Sequence, residues 1–257
     1  MTQVYGLVGN GSTRPLFAGL EGGNVWDAII KTKDNPQGVL AVVNEAIAYR
    51  LAIEVEIPMP ASGIAVIDSE TDTQGLLSES SWGHCFYSER VEKAAIAIPS
   101  SLSNMCDALL FAKIILFDHL IYNKDRNRGN LLVTMRKGRK KLYVIDHTHV
   151  FKNQTIWDAN CLRRGMNESD YRDTSIMDSN GYEGFTENAR IDLDLLREAA
   201  RVFETRYTAS VIESAIDGIP DDWTVEQQNV SALKEYLTYR VKHIDDICIM
   251  IDEWMRR

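Results

Sequence analysis

Asn123-Lys124-Asp125-Arg126-Asn127-Arg128-Gly129-Asn130 is the stretch whose reading decides the fold. It follows a long apolar run and precedes two short apolar segments. Its turn-forming and charged residues leave no room for a regular element. Asp125 and Asn130 stand on this irregular loop with four residues between them. Phosphoryl transfer needs a carboxylate to orient an attacking hydroxyl and an acceptor to hold a metal beside it. A carboxylate and a carboxamide at this spacing meet both needs.

The segments after the loop add to this reading. Leu131 to Met135 and Leu142 to Asp146 read as two strands flanking the basic turn Arg136-Lys137-Gly138-Arg139-Lys140. Asn130 and Asp146 are equidistant from Gly138. An antiparallel hairpin centred on Gly138 therefore sets them opposite each other, with side chains about 5 Å apart. Two oxygen ligands at that distance can share one Mg²⁺, a hard cation. A slip of one residue undoes the pairing. Taken singly, each of these residues also suits a turn cap. The basic tip reads as a solvated face.

Before the loop, Ser103 to Tyr122 is apolar on nearly every side, so it reads as a buried helix with Ser103 as N-cap. Further upstream, Gly9-Asn10-Gly11-Ser12-Thr13-Arg14 and Gly22-Gly23-Asn24 punctuate apolar runs as strand hairpins do. Leu40, Val43, Ile47 and Leu51 fall at helical spacing, predicting a helix from Val39 to Glu54 that Pro58 and Pro60 end. Ile64 to Ile67 is strand-like, and an acidic loop follows from Asp68 to Asp72. Downstream of the hairpin the pattern turns helical. Asp192 to Arg206 and Thr208 to Asp217 read as short helices. Val230, Leu233, Leu237, Val241, Ile244, Ile247, Ile251 and Trp254 form an apolar stripe. Strands with one helix, then a loop and hairpin, then helices suit two unequal lobes with a cleft between them.

Composition narrows the classes. The chain has 257 residues, 45% hydrophobic and 25% charged, as in ordinary globular proteins. It shows neither a membrane span nor a secretory signal, so a cytoplasmic location is expected. A net charge of −9 disfavours broad nucleic-acid binding. Cys85, Cys106, Cys161 and Cys248 are too scattered for a zinc pattern and read as buried thiols.

Lys31 ends an apolar run, and Glu45 lies on the following helix. A Lys–Glu pair can set the lysine on nucleotide phosphates, although both residues also suit a solvated surface. Lys33 shares a strand face with Lys31 and is the rival candidate. The amides of Gly9 to Thr13 can cradle phosphates as a nest does. His147 and His149 are alternate residues that share a face, so a transition-metal site is imaginable, but no Cys or His at fitting spacing completes it and His147 reads as packed near Asp146. Arg126 and Arg128 flank Asp125 and can pair with it or with phosphate.

With these residues in view, the sequence resembles the HipA-like kinases, a branch of the protein-kinase-like superfamily. The resemblance rests on Gly11-Ser12-Thr13-Arg14-Pro15, Ile30-Lys31, Asn35-Pro36-Gln37-Gly38, Asn44-Glu45, Asn123-x-Asp125-Arg126-x-x-Gly129-Asn130 and Ile145-Asp146-His147. It implies an α+β, two-lobe kinase-like fold. Residues 1–80 would form a small strand-rich N-lobe, and residues 81–257 a mainly helical C-lobe. It implies an ATP- and Mg²⁺-dependent Ser/Thr protein kinase acting on a protein substrate. Asp125 would be the base, and Asn130 and Asp146 the Mg²⁺ ligands. Lys31, held by Glu45, would reach the ATP phosphates. The loop carrying Gly9, Gly11, Ser12 and Thr13 would cover them, with Ser12 or Thr13 open to phosphorylation.

The pattern also departs from protein kinases. Asn123-Lys124-Asp125 stands for His-Arg-Asp, Asp146-His147-Thr148 stands for Asp-Phe-Gly, and no Ala-Pro-Glu follows. The chain is short beside the HipA toxins and is expected to lack their additional N-terminal subdomain. Two other readings stay open. One is a pseudokinase regulating a partner protein. The other is a kinase-fold enzyme that phosphorylates a small molecule or transfers AMP, with its acceptor near Asp158 to Asp178.

Overall fold

The computed structural model describes residues 1–21, 27–103, 105 and 107–256, with Arg136 described by its backbone alone. The chain opens with strands β1 (Gln3–Leu7), β2 (Leu16–Gly19) and β3 (Asp27–Thr32). Helix α1 (Leu40–Glu54) follows, then β4 (Ser62–Ile67) and β5 (Gly83–Glu89). Among the described residues these strands form an antiparallel sheet of order β1-β2-β3-β5-β4. β5 lies between β3 and β4, so the sheet runs past position 80, where the sequence suggested the lobes change over. The expected Gly22-Gly23-Asn24 turn lies outside the described residues, as does Cys106. The strands flanking that turn pair in register from Leu16 with Ile30 to Gly19 with Asp27.

Beyond the sheet come β6 (Ala95–Ile96), α2 (Pro99–Leu102), α3 (Ala108–Leu120), β7 (Leu131–Arg136) and β8 (Arg139–Val144). The remainder is helical: α4 (Ala159–Asn167), α5 (Glu183–Asn188), α6 (Leu193–Arg206), α7 (Ala209–Asp217), α8 (Gln227–Lys242) and α9 (Ile244–Met255). The apolar stripe of the C-terminus breaks at His243, which ends α8 and begins α9. Among the described residues, no helix is long and apolar enough to cross a membrane.

Two expectations are corrected here. The helix predicted from Ser103 starts instead at Ala108, where the Asp107 side chain accepts from Leu110 N at 3.0 Å and caps it. Ser103 ends the short α2, and its hydroxyl donates to Ser100 O. The hairpin is also displaced. Pairing runs from Leu131 with Val144 to Arg136 with Arg139. Lys137 and Gly138 alone make the turn, at φ 50° and 74°. A two-residue turn with both φ positive matches the twist of the strands it joins. Its centre falls between Lys137 and Gly138, so Asn130 meets Ile145 rather than Asp146, and Ile145 N donates to Asn130 O at 3.0 Å.

One large apolar cluster joins α1, α3 and the C-terminal helices, and a smaller one underlies the sheet. α1 has no strongly solvated face. Asn44 and Glu45 are buried on it and need polar partners. At the base of the helical region Arg240 is fully buried. It donates to Asp170 Oδ1 (2.6 Å), Leu120 O (3.0 Å) and His119 O (2.6 Å). Its Nη2 also lies 3.1 Å from His119 Nδ1. A guanidinium can only donate, so Nδ1 carries no proton and the ring is neutral. Burial, with the Arg240 charge adding, holds the His119 pKa well below its ordinary value.

The unfolded chain takes up this proton near pH 6.5 and the folded one does not, so stability is lost as pH falls below about 6.5. Thermal midpoints followed from pH 8 down to pH 5.5 should decline across that window. His119→Gln, which keeps an acceptor for Arg240, should make the decline shallower. An unchanged slope would refute the assignment.

Candidate active site

The site builds up from side chains capping their own turns. In the Asn123–Asn130 loop, Asp125 N donates to Asn123 Oδ1 at 2.9 Å, and Gly129 N to Asn127 Oδ1 at 2.8 Å. Asn130 N closes onto Asn127 O at 3.0 Å. Asn side chains thus replace the backbone partners that a helix or strand would supply. Asn127 Nδ2 reaches Asp125 Oδ1 at 3.1 Å, and Asn130 Nδ2 reaches Asp125 O at 2.7 Å.

Arg126 is the loop's internal brace. It is fully buried, with Nε and Nη2 donating to the Asp118 carboxylate at 2.8 and 2.9 Å. Its Nη1 donates to Asn130 O (3.1 Å) and Ile145 O (2.8 Å). Nη2 also lies 2.8 Å from His147 Nε2. One guanidinium therefore ties α3, the Asp125 loop and the segment after β8 together. The expectation that Arg126 pairs with Asp125 or phosphate is corrected, since its donors point inward. The shared-face metal reading of His147 and His149 also fails. Residues 146–149 are not a strand, and His147 turns into the core against Arg126 and Phe117. His149 Nδ1 instead stands 3.4 Å from Asp125 Oδ2.

Lys31, Glu45 and Asp146 meet in the floor of the cleft. Lys31 Nζ contacts Glu45 Oε1, Asp146 Oδ1 (2.9 Å) and Thr148 Oγ1 (2.8 Å). Thr148 Oγ1 donates to Glu45 Oε1 at 3.0 Å, and His147 N donates to Glu45 Oε2 at 3.1 Å. Burial alone would lower the Lys31 pKa, but the Glu45 and Asp146 charges reverse this and raise it. Burial likewise pushes Asp146 up, yet Lys31 and the Thr148 hydrogen bond hold it below the usual carboxylate range. Asp146 takes φ 58°, a left-handed conformation that Asp tolerates. That turn, rather than strand pairing, aims its carboxylate into the cleft.

The cleft has a volume of about 550 Å³. Gly11, Ser12, Thr13, Lys31, Glu45, Asp125, Asn130, Asp146 and His149 all line it, with Ile29, Met59, Phe86 and Leu132 as apolar wall. Gly9 does not: it faces a neighbouring cavity on the other side of its loop. Val8 N and Arg14 N bond to Pro15 O and Gly11 O, while no bond among the described residues uses the amides of Gly9 to Thr13. Lys33 turns away to Asp222, 3.0 Å distant, and is not in the cleft.

The donor set suits a hard cation. Glu45, Glu89, Asp125 and Asp146 line the cleft against Lys31 and His149, so negative charge is in excess among the described residues. Asn130 Oδ1 and Asp146 Oδ2 make no hydrogen bond among the described residues. Among the described residues, no three or more His, Cys, Asp or Glu side chains are placed to hold a metal ion together. Mg²⁺ does not require one, because one or two protein oxygens plus phosphates commonly hold it.

A family model described as HipA-like kinase matches residues 1–247. The chain belongs to the HipA-like kinase family. Its fold is that of a kinase, since the crystal structure of the Helicobacter pylori proinflammatory kinase CtkA superposes with a TM-score of 0.63. That likeness covers 100% of this chain and 99% of CtkA at 11% identity. HipA of Shewanella oneidensis MR-1, solved with HipB and operator DNA, gives a TM-score of 0.47 at 13% identity. It covers 98% of this chain and 67% of that one. No curated protein sequence matches. Within this HipA-like site, Thr148 and Asn127 carried no role in the sequence reading, and His149 carried only the metal reading that the structure overturns. Their contacts depend on loop turns that no periodicity announces.

Removing the Arg126 guanidinium should leave Asp118 buried and uncompensated. Arg126→Ala should therefore cost about 3–5 kcal/mol in urea unfolding. Arg126→Lys should recover only part of this, because an ammonium cannot reproduce the two-pronged contact. A loss below about 1 kcal/mol for Arg126→Ala would contradict the bracing role.

Proposed function

We propose that this HipA-like kinase transfers the γ-phosphoryl group of ATP to a Ser or Thr hydroxyl of a protein, with Mg²⁺. The observation that carries the reading is the contact of Lys31 with both Glu45 and Asp146, beneath a loop whose amides are uncommitted. Lys31 and the Gly11 to Thr13 amides bind the phosphates. Asn130 and Asp146 hold the metal, which when bound neutralises charge on the phosphate oxygens. The Asp125 carboxylate faces the acceptor. It takes the hydroxyl proton as the new O–P bond forms and the bond to the leaving ADP breaks. Burial of Lys31 and Glu45 excludes water and strengthens their hold on charge.

Ser12 is exposed on the covering loop, whereas Thr13 is buried. We assign Ser12 as the acceptor in self-phosphorylation. A phosphate there adds negative charge beside Asp125 and Asp146, which repels the loop from the cleft.

Incubation with γ-labelled ATP and Mg²⁺ should label the chain or an added protein, and α-labelled ATP should not. Asp125→Ala should lower transfer by about 10²- to 10⁴-fold with nucleotide binding retained. Asp146→Ala should weaken Mg²⁺-dependent ATP binding itself. Wild-type rates in both variants, or transfer of the α-label, would overturn the proposal. Separately, intact mass should rise by one phosphate in wild type and not in Ser12→Ala. An unchanged wild-type mass at every enzyme concentration would reject self-phosphorylation.

A further inference from the structure

We infer that Asp222 is a positioning residue for Lys31, acting as a clasp between the sheet and the helical region. The inference rests on the proposed role of Lys31 with Glu45. Those two residues belong to different bodies. Glu45 rides on α1, which the rest of the chain grips firmly. Asn44 Nδ2 donates to Thr148 O (2.7 Å) and Gln154 O (3.1 Å), and Trp157 Nε1 donates to Asn44 Oδ1 (2.9 Å). On the same helix Arg50 donates to Ala215 O (3.0 Å) and Gly218 O (2.7 Å) at the end of α7, and Tyr207 OH donates to Leu51 O (2.8 Å).

Lys31 rides on β3, and the sheet is held far more sparsely. Apart from the bonds of Lys31 itself, the side-chain hydrogen bonds from the sheet and the residues directly flanking it to residues beyond 91 all end on Asp222 or Trp223, among the described residues. Asp222 Oδ2 accepts from Lys33 Nζ (3.0 Å) and His84 N (2.9 Å). Its Oδ1 lies 2.7 Å from His84 Nδ1. The buried Trp223 donates from Nε1 to His84 O at 2.8 Å. Lys33 directly follows β3, and His84 lies near the start of β5, its partner strand. The carboxylate thus fixes both strands at the end of the sheet next to Lys31.

The approach is close enough to constrain the sequence. Gly83 sits at φ +112°, and a Cβ there would lie 2.2 Å from Asp222 Oδ2. In kinases that switch, placement of the helix carrying the Glu governs whether Lys and Glu meet. Here that helix is already seated, so the sheet is the part left to position. Burial pushes the Asp222 pKa up, but the hydrogen bonds from the His84 amide, Lys33 and the His84 ring outweigh it and lower it to about 2, so the clasp is charged across the physiological range.

The experiment uses the full chain. Hydrogen–deuterium exchange without nucleotide should show β3 and β5 exchanging about tenfold faster in Asp222→Ala, with α8 and α9 at wild-type rates. Gly83→Ala, which forces the carboxylate away, should do the same. In phosphoryl transfer, kcat of Asp222→Ala should fall about tenfold or more while KM for ATP changes less than about threefold. Asp222→Asn, which keeps an acceptor for His84, should lie between. Unchanged exchange in the sheet would overturn the inference. So would equal acceleration in α8 and α9, which would signal general loosening, or local loosening with wild-type kcat. If wild type transfers no phosphate, the active-site reading fails, and the exchange pattern alone decides whether Asp222 holds the sheet.

Discussion

The structure depends on one buried ionic contact, that of Lys31 with Glu45 and Asp146. A sheet strand, a helix and the irregular segment after the β-hairpin each contribute one charge to it. None of these charges tolerates burial alone, because a single ion taken from water costs several kcal/mol unless paired and hydrogen-bonded. Glu45 is 2% exposed and Lys31 is 9% exposed, so the contact forms only when all three elements have closed together. Thr148 and the His147 amide supply the remaining hydrogen bonds that make the arrangement tolerable. The cleft is a consequence: its floor is this contact, and its excess of carboxylates faces outward.

A second buried charge performs the matching task below. Arg126 draws the Asp125 loop and the Ile145 backbone onto Asp118 of α3, which fixes where Asn130 and Asp146 emerge. Arg240 does the same for the base of the helical region, with Asp170, Leu120 and His119. Both arginines use a flat fork of donors to gather loops that have no hydrogen-bond ladder of their own. The loop from Gly9 to Thr13 is the opposite case. Its amides from Gly9 to Thr13 make no hydrogen bond among the described residues, which leaves those of Gly11 to Thr13 free to face the cleft.

Several features were legible from local pattern. The spacing of Leu40, Val43, Ile47 and Leu51 located α1 to within a residue, because 3.6-residue periodicity is a local property. The Asp125–Asn130 segment read as irregular for the same kind of reason, since its Asn residues bond to their own neighbours. The hairpin was legible in existence but not in register. Whether its turn takes two residues or three hinges on the backbone angles of Lys137 and Gly138, and one residue of slip separates Asn130 from Asp146 as cross-strand partners. Their shared cleft arises from the left-handed turn at Asp146, which the pairing argument did not contain.

The sequence by itself determined which elements form, and which residue types could carry charge into a cleft, because hydrophobic period, turn chemistry and motif spacing act over a few residues. Only the tertiary structure decided which of Lys31 and Lys33 meets Glu45. They lie two residues apart, and β3 ends between them, so Lys31 turns to Glu45 and Lys33 to Asp222, which lies 189 residues further along the chain. It likewise sent His147 into the core and His149 towards Asp125. Such choices rest on charges being buried against partners distant in sequence, and burial is a property of the closed fold rather than of any segment.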